Sequence, residues 1–278
     1  ERGLRAVHRF RHLTLLLTER QMRPAAAATE EMMGTAPTKQ LRLNCIMHVP
    51  FEGPQAIADW AASKGHDIRM TKLFDGDPLP AFGDFDILVV MGGPMSVHDE
   101  DRYAWLAGEK ALVSECLRTG RFVLGVCLGS QIIAEQLGAT VRRNRWKEIG
   151  WMPLRAAGTG VSLLEDLPDG ATVFHWHGET HNLPPGSALL ASSEACEVQA
   201  FEHASALGLQ FHLEAGREGV EAMVENCRED IGTGPYEQAA GEILEGEQRH
   251  GEAARRLMGR VMDRIAERVA AGGEACGR

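Results

Sequence analysis

The sequence feature that most constrains the fold is an almost unbroken apolar run, F-D-I-L-V-V-M, at residues 85–91. Its β-branched residues are typical of a parallel strand that is covered on both faces. Apolar runs of this kind alternate with helical segments: strands at 41–47, 67–73, 85–91 and 122–126, and helices at 54–64, 102–117 and 128–136. The alternation predicts an α/β fold with a doubly wound, mostly parallel sheet flanked by helices.

Beyond residue 140 the extended segments become shorter and are separated by turn signals such as Pro184-Pro185-Gly186. Residues 238–271 are charged and helical in pattern, and we expect them to be docked on the domain or to face a partner. We therefore predict a poorly ordered N-terminal extension at 1–38, a main domain at 39–228 and a C-terminal helical extension at 229–278. The Arg-rich and Ala-rich residues 1–38 are also compatible with a transit peptide or leader.

Composition narrows the class of protein. The chain has 278 residues and a formal net charge of −10, which disfavours nucleic acid as a partner. It has no run of 18 apolar residues, so we expect no membrane-spanning segment. Its six cysteines include no CxxC pair, and we interpret them as reduced thiols of a cytoplasmic protein.

Cys127 is the candidate nucleophile. It follows the strand at 122–126 directly, precedes a helix, and stands between Gly125 and Gly129. This is the glycine-flanked turn of a nucleophile elbow, with Cys in place of Ser. A side chain at either glycine is expected to collide with neighbouring backbone. The turn should push the thiol into the open above the sheet, and the helix N-terminus should favour the thiolate.

His212 and Glu214 are the candidate base and its orienting carboxylate. They follow the apolar residues 207–211, and residues two apart in an extended chain point to the same side. Glu214 can then hold the His212 ring in one tautomer, as the third member of a triad does.

Acyl transfer also needs hydrogen-bond donors that stabilise the negative oxygen developing in the transition state. We expect one from the backbone amide of Leu128, the residue after the nucleophile. For the other we predict the amide of Gly93, in the loop M-G-G-P-M-S at residues 91–96.

Three motifs in this order, M-G-G-P-M-S (91–96), G-V-C-L-G-S-Q (125–131) and Q-F-H-L-E (210–214), resemble the class I, or triad, glutamine amidotransferase family. The runs E-I-G-W (148–151) and V-F-H-W-H-G-E-T-H-N-L-P-P-G (173–186) resemble stand-alone members similar to the glutaminase domain of GMP synthase. The resemblance covers about residues 41–228. It implies hydrolysis of glutamine through a cysteinyl thioester with release of ammonia, and neither a metal nor an organic cofactor.

By the same resemblance Gln131 and the backbone around Trp176 and His177 would hold the glutamine substrate. Two positions depart from the family pattern: Glu179 stands where relatives usually have Asp, and Leu213 where many have Pro. Residues 229–278 are too few for a synthetase domain, and no P-loop occurs. We therefore expect either that the ammonia acceptor, a synthetase, is a separate chain or that the enzyme cleaves a different γ-glutamyl amide.

Other interpretations stay open. The same triad would serve a γ-glutamyl peptide hydrolase, and the scaffold would also serve a non-catalytic module that binds a partner. His175, His177 and His181 with Glu179 are a possible zinc set, because histidines and a carboxylate can bind zinc. Two observations argue against zinc: residues 173–186 are rich in turn residues, and they match a family motif that needs no metal.

Overall fold

The computed structural model describes residues 40–158 and 162–275, so the predicted N-terminal extension at 1–38 lies outside the described part. The strands are β1 (Arg42–Met47), β2 (Asp67–Lys72), β3 (Ile87–Val90), β4 (Phe122–Val126), β5 (Val141–Pro153), β6 (Arg155–Ala156), β7 (Thr172–His181), β8 (Ala188–Ser192), β9 (Ala200–His203) and β10 (Ala206–Leu209). The helices are α1 (Gln55–Lys64), α2 (Leu106–Thr119), α3 (Leu128–Gln136), α4 (Arg217–Asn226), α5 (Ala240–Gly246) and α6 (Glu252–Ala275).

Eight strands form one sheet in the order β2-β1-β3-β4-β10-β9-β8-β6. The first five pair in parallel, and β9, β8 and β6 continue the sheet antiparallel. The parallel half has the strand succession of flavodoxin-like sheets. The prediction of a mostly parallel sheet flanked by helices is confirmed.

The central strand β3 shows why the sequence folds in this way. All four of its residues are completely buried. Ile87 and Val89 pack into the apolar cluster on one face of the sheet, whereas Leu88 and Val90 pack into the cluster on the other. A strand with two covered faces has no solvated side for polar residues, which explains its continuous apolar pattern.

Strands β5 and β7 form a separate antiparallel ribbon with a register shift between Arg143 and Glu148. The sequence predicted only short extended segments beyond residue 140. That prediction is wrong for β7, which is ten residues long, from Thr172 to His181. The ladder with β5 satisfies the backbone groups of this stretch, so its Gly and polar residues do not break the strand.

The C-terminal helix α6 is docked on the domain. Its apolar residues Leu257, Val261 and Ile265 are buried in the same core as α1. Asp263 accepts a hydrogen bond from Nε1 of Trp60 in α1 at 2.9 Å. One turn of π-helix, Glu247–Gly251, joins α5 to α6. Within the described ranges no helix is long and apolar enough to cross a membrane.

Candidate active site

Cys127 occupies a strained turn between β4 and α3. Its φ of 51° and ψ of −105° fall outside the regions that non-glycine residues usually adopt. The flanking glycines make this turn possible. A Cβ at Gly125 would overlap the backbone of Gly129, and a Cβ at Gly129 would overlap the carbonyl oxygen of Val90. The collision expected from the sequence is therefore present at both positions.

Backbone hydrogen bonds bring distant strand ends to this turn. The amide of Cys127 donates to the carbonyl oxygen of Leu209 at the end of β10, at 2.7 Å. Three residues later the amide of His212 donates to the carbonyl oxygen of Phe174 in β7, at 2.8 Å. The side chains of Cys127 and His212 are consequently held at the same edge of the sheet, although 85 residues separate them in sequence.

The thiol is less open than predicted. Cys127 is only 7% exposed, and its Sγ lies 3.7 Å from the carbonyl oxygen of Trp176. The expectation of a thiol pushed into the open is wrong, because the β5–β7 ribbon covers the turn. The sulfur therefore lies between this ribbon and the carboxyl ends of β4 and β10.

His212 and Glu214 lie side by side, and both are almost fully buried. Nδ1 of His212 donates to Oε1 of Glu214 at 2.7 Å. Strand β10 ends at Leu209, so the pair lies beyond the regular strand rather than within it. Nε2 of His212 has no other polar partner among the described residues, but the ring interacts with the Cys127 thiol, which raises the pKa of the ring. The ring is therefore held by Glu214 at one nitrogen and lies beside the thiol.

The thiol and the imidazole influence each other strongly. Burial raises the pKa of Cys127, the His212 ring lowers it, and the Glu52 carboxylate raises it again, so that the net shift is upward. Burial lowers the pKa of His212, but Glu214 and Cys127 raise it well above its ordinary value. We expected the helix N-terminus to stabilise the thiolate and so to lower the pKa of Cys127. The net shift is upward instead, because desolvation disfavours the charged sulfur more strongly.

The loop at residues 91–96, which we call the oxyanion loop, follows β3 and passes His212. A Cβ at Gly92 would lie 3.3 Å from Cε1 of His212 and would overlap Oε2 of Glu52. The amide of Gly93 donates no hydrogen bond to any residue in the described ranges. The amide of Leu128 lies at the sulfur itself and lowers the pKa of Cys127. Both predicted oxyanion donors are thus at the edge of the sheet where Cys127 and His212 meet.

Glu52 is a residue of this site that the sequence reasoning missed. Its side chain is buried in the loop after β1, and burial raises its pKa, while His212 and His48 lower it and Glu214 raises it. Its position in the sequence could have indicated this role. Glu52 follows the carboxyl end of a parallel strand, where ligands bind in such sheets.

The residues expected to hold substrate differ in how they are placed. Gln131 lies one turn after Cys127 in α3, and its side-chain amide donates to Oε1 of Gln210 at 3.2 Å. The carbonyl oxygen of Trp176 faces the sulfur. The ring of His177 is engaged with Glu148, at 3.1 Å from Oε2, so only its backbone is available to a ligand.

The donor set for a metal is not the one expected. Glu148, His175 and His177 offer ligand atoms within 4.8 Å of one another and are all buried. His181 instead accepts from Oγ of Ser130, at 3.3 Å. Glu148, His175 and His177 could hold an ion. The ring nitrogens of His175 have no hydrogen-bond partner among the described side chains and backbone groups.

The same cluster is also a hydrogen-bonded network without an ion. Burial raises the pKa of Glu148, but the hydrogen bond from His177, the nearby His175 and the hydroxyl of Ser193 bring it down to about 2. Gln199 donates to Oε2 of this carboxylate at 2.7 Å, the oxygen that His177 also contacts, whereas Ser193 donates to Oε1. Burial lowers the pKa of His175 to about 4, which keeps that ring neutral.

Known proteins resemble this chain over most of the described domain. The family model for class-I glutamine amidotransferases matches residues 62–229, more than half of the chain. The glutamine amidotransferase-like protein YfeJ of Salmonella typhimurium is 34% identical over 198 residues, which cover 69% of this chain and 83% of YfeJ. The GMP synthase of Streptomyces avermitilis is 34% identical over 130 residues, but these cover 46% of this chain and only 23% of that enzyme.

Solved structures agree with the sequence matches. A glutamine amidotransferase from Thermotoga maritima superposes with a TM-score of 0.76 at 29% identity, over 82% of this chain and 99% of its own. A glutamine amidotransferase from Methylobacillus flagellatus superposes with a TM-score of 0.74 at 27% identity, over 82% and 94%. On the family match and the similarity to YfeJ, the chain belongs to the class I glutamine amidotransferase family.

Proposed function

We propose that Cys127, His212 and Glu214 form a catalytic triad that hydrolyses the side-chain amide of glutamine and releases ammonia. One observation carries the proposal: a cysteine on a strained strand-to-helix turn meets a buried imidazole whose far nitrogen is held by a carboxylate at 2.7 Å. This is the arrangement that activates a nucleophile in acyl transfer.

In the proposed reaction, Sγ of Cys127 attacks the amide carbon of glutamine while the thiol proton passes to Nε2 of His212. The resulting tetrahedral oxyanion is stabilised by the amides of Gly93 and Leu128. His212 returns the proton to the leaving nitrogen, and the carbon–nitrogen bond breaks. Ammonia departs, and a thioester between Cys127 and the glutamyl group remains. A water molecule, deprotonated by His212, then hydrolyses the thioester to glutamate and the free thiol.

The substrate would lie between α3 and the β5–β7 ribbon. We propose that the side chain of Gln131 and the backbone of Trp176 and His177 hold it, since Gln131 lies one turn after Cys127 in α3 and the carbonyl oxygen of Trp176 lies 3.7 Å from the sulfur. Side chains of the protein carry each proton, and backbone amides stabilise the oxyanion in this scheme, so it requires neither a metal nor an organic cofactor.

The fate of the ammonia points to a partner. The GMP synthases that this chain matches are described as glutamine-hydrolysing, and the match spans about a quarter of their length. We propose that a separate synthetase chain accepts the ammonia. We also place the reaction in the cytoplasm, because a nucleophilic thiol must stay reduced, and the five described cysteines are free.

A hydrolysis assay on the purified full chain tests the proposal. Ammonia release from free glutamine should be measured beside cleavage of γ-glutamyl peptides, for the wild type and for Cys127→Ala. We expect glutamine hydrolysis that the substitution abolishes. Cleavage of peptides alone would favour a γ-glutamyl peptide hydrolase. No hydrolysis of either substrate, even with candidate synthetases present, would favour a partner-binding module.

A further inference from the structure

A second buried histidine–glutamate pair lies behind the oxyanion loop, outside the proposed triad. His48 follows β1, Glu109 lies in the first turn of α2, and neither side chain is exposed. Nε2 of His48 is 2.9 Å from Oε1 and 3.1 Å from Oε2 of Glu109. The His48 ring also stacks on Trp105, with ring centroids 5.3 Å apart. The imidazole is therefore fixed both in its plane and across its face.

The other nitrogen of His48 contacts the oxyanion loop. Nδ1 lies 2.9 Å from the carbonyl oxygen of Gly92. A carbonyl oxygen can only accept a hydrogen bond, and so can an ionised carboxylate, so both ring nitrogens carry a proton here. Burial lowers the pKa of His48, but Glu109 and the contact with Gly92 raise it above its ordinary value. The ring is thus an imidazolium that links Glu109 to the loop.

The geometry of a peptide bond determines what this contact does. In a trans peptide the carbonyl oxygen of Gly92 and the amide of Gly93 point in opposite directions. Because His48 holds the oxygen, the amide is turned away from His48. Contact is close, since a Cβ at Gly93 would lie only 2.9 Å from Cβ of His48. Two successive glycines would otherwise leave this peptide free to rotate.

We propose that His48 and Glu109 are positioning residues, which hold the Gly92–Gly93 peptide with its amide directed at the oxyanion of the reaction. The inference rests on the proposed function, because only acyl transfer generates that oxyanion. A buried ion pair is a weak source of stability, so the orientation that it imposes is its main contribution. A charge-assisted hydrogen bond to the carbonyl also polarises the peptide and strengthens its amide as a donor.

A paired substitution separates positioning from folding. His48→Phe with Glu109→Leu removes both charges together, and it keeps an aromatic ring against Trp105. Replacing both partners of a buried pair by apolar groups is nearly neutral for stability, whereas removing one leaves a buried charge unpaired. Glu109→Gln is the conservative variant, because a side-chain amide can still hold the ring with Nδ1 directed at Gly92. His203→Phe is the matched control, since the Nδ1 of that histidine bonds Ser187 far from the loop.

Two measurements on the full chain then distinguish a positioning role of His48 and Glu109 from a purely structural one. Glutamine hydrolysis gives kcat and KM, and alkylation of Cys127 by iodoacetamide reports thiol reactivity without an oxyanion. For the double variant we expect kcat to fall by about 10²-fold, the scale of one lost oxyanion donor, with KM and the alkylation rate unchanged. Glu109→Gln should retain most of the activity, and His203→Phe all of it.

Wild-type kcat in the double variant would overturn the positioning role, and so would a parallel loss of alkylation, which indicates a disturbed site. A wild-type chain that hydrolyses neither glutamine nor γ-glutamyl peptides would instead refute the proposed function itself, and this inference with it.

Discussion

Oε1 of Glu214 lies 2.7 Å from Nδ1 of His212, two residues earlier in the chain. The contact fixes the tautomer of the ring, so that Nε2 is the nitrogen available for the proton of Cys127. It also places a negative charge beside a ring that burial would otherwise keep neutral. In the proposed reaction, a short local sequence thus provides both the base and the carboxylate that orients it.

Glu214→Gln should lower kcat for glutamine by about 10²-fold or more, because an amide can hold the ring in the wrong tautomer and does not stabilise the imidazolium. KM should change little, since the carboxylate is buried behind the ring and does not face the substrate. Steady-state kinetics of ammonia release measure both constants. A raised KM with unchanged kcat would show that Glu214 binds substrate and does not orient the base.

Glu52→Gln should shift the acid limb of the pH profile of kcat/KM to lower pH. The pair of Cys127 and His212 must lose a proton before the sulfur attacks, and both pKa values are raised in the structure. The Glu52 carboxylate contributes to the raised pKa of Cys127 and attracts the proton of His212. Its removal lowers both pKa values, so the reactive form should appear at lower pH.

A full pH series of initial rates tests that shift, with substitution of the exposed Glu225 by Gln as the control. An unchanged acid limb in Glu52→Gln, or a shift toward higher pH, would show that this carboxylate does not act on the pair.

Gly129→Ala and Gly259→Ala should have opposite effects on stability. A Cβ at Gly129 overlaps the carbonyl oxygen of Val90 at the turn, and overpacking of this kind costs about 1–3 kcal/mol or more. Gly259 lies inside α6 with open space around it, where Ala is favoured by about 1 kcal/mol. Denaturant unfolding measures both. Equal stability of Gly129→Ala and the wild type would refute the steric account of the turn.

Dialysis against a chelator should leave ammonia release unchanged. The carboxylate of Glu148 is already hydrogen-bonded by His177, Ser193 and Gln199, so the cluster has partners without an ion. Elemental analysis before and after dialysis accompanies the assay. Stoichiometric zinc that is lost together with activity would support the metal set instead.

The sequence predicted the parallel half of the sheet well, because strands buried on both faces, such as β3, have continuous apolar patterns. It also predicted where Cys127, His212 and Glu214 lie, because each belongs to a short local motif. The extent of β7 was missed. Gly178 and its polar neighbours resemble a turn, and their pairing with β5 depends on residues about 30 positions away.

The residues behind the site were missed for a related reason. His48, Glu52 and Glu109 belong to no local motif. The contacts of His48 with Gly92 and Glu109 cross 44 and 61 residues of sequence, and Glu52 acts on His212 from an even more distant part of the chain. The burial of Cys127 was missed as well, because its cover comes from the separate ribbon that carries Trp176. Local chemistry can be predicted from a sequence, but the surroundings that tune it are assembled by the fold.

The central claim is that Cys127 attacks the amide carbon of glutamine, and mass spectrometry of the chain treated with a diazo-ketone analogue of glutamine tests it most directly. We predict one covalent adduct, located on the peptide that contains Cys127 and prevented by excess glutamine. An unlabelled chain, or a label on another cysteine while Cys127 stays free, would contradict the claim.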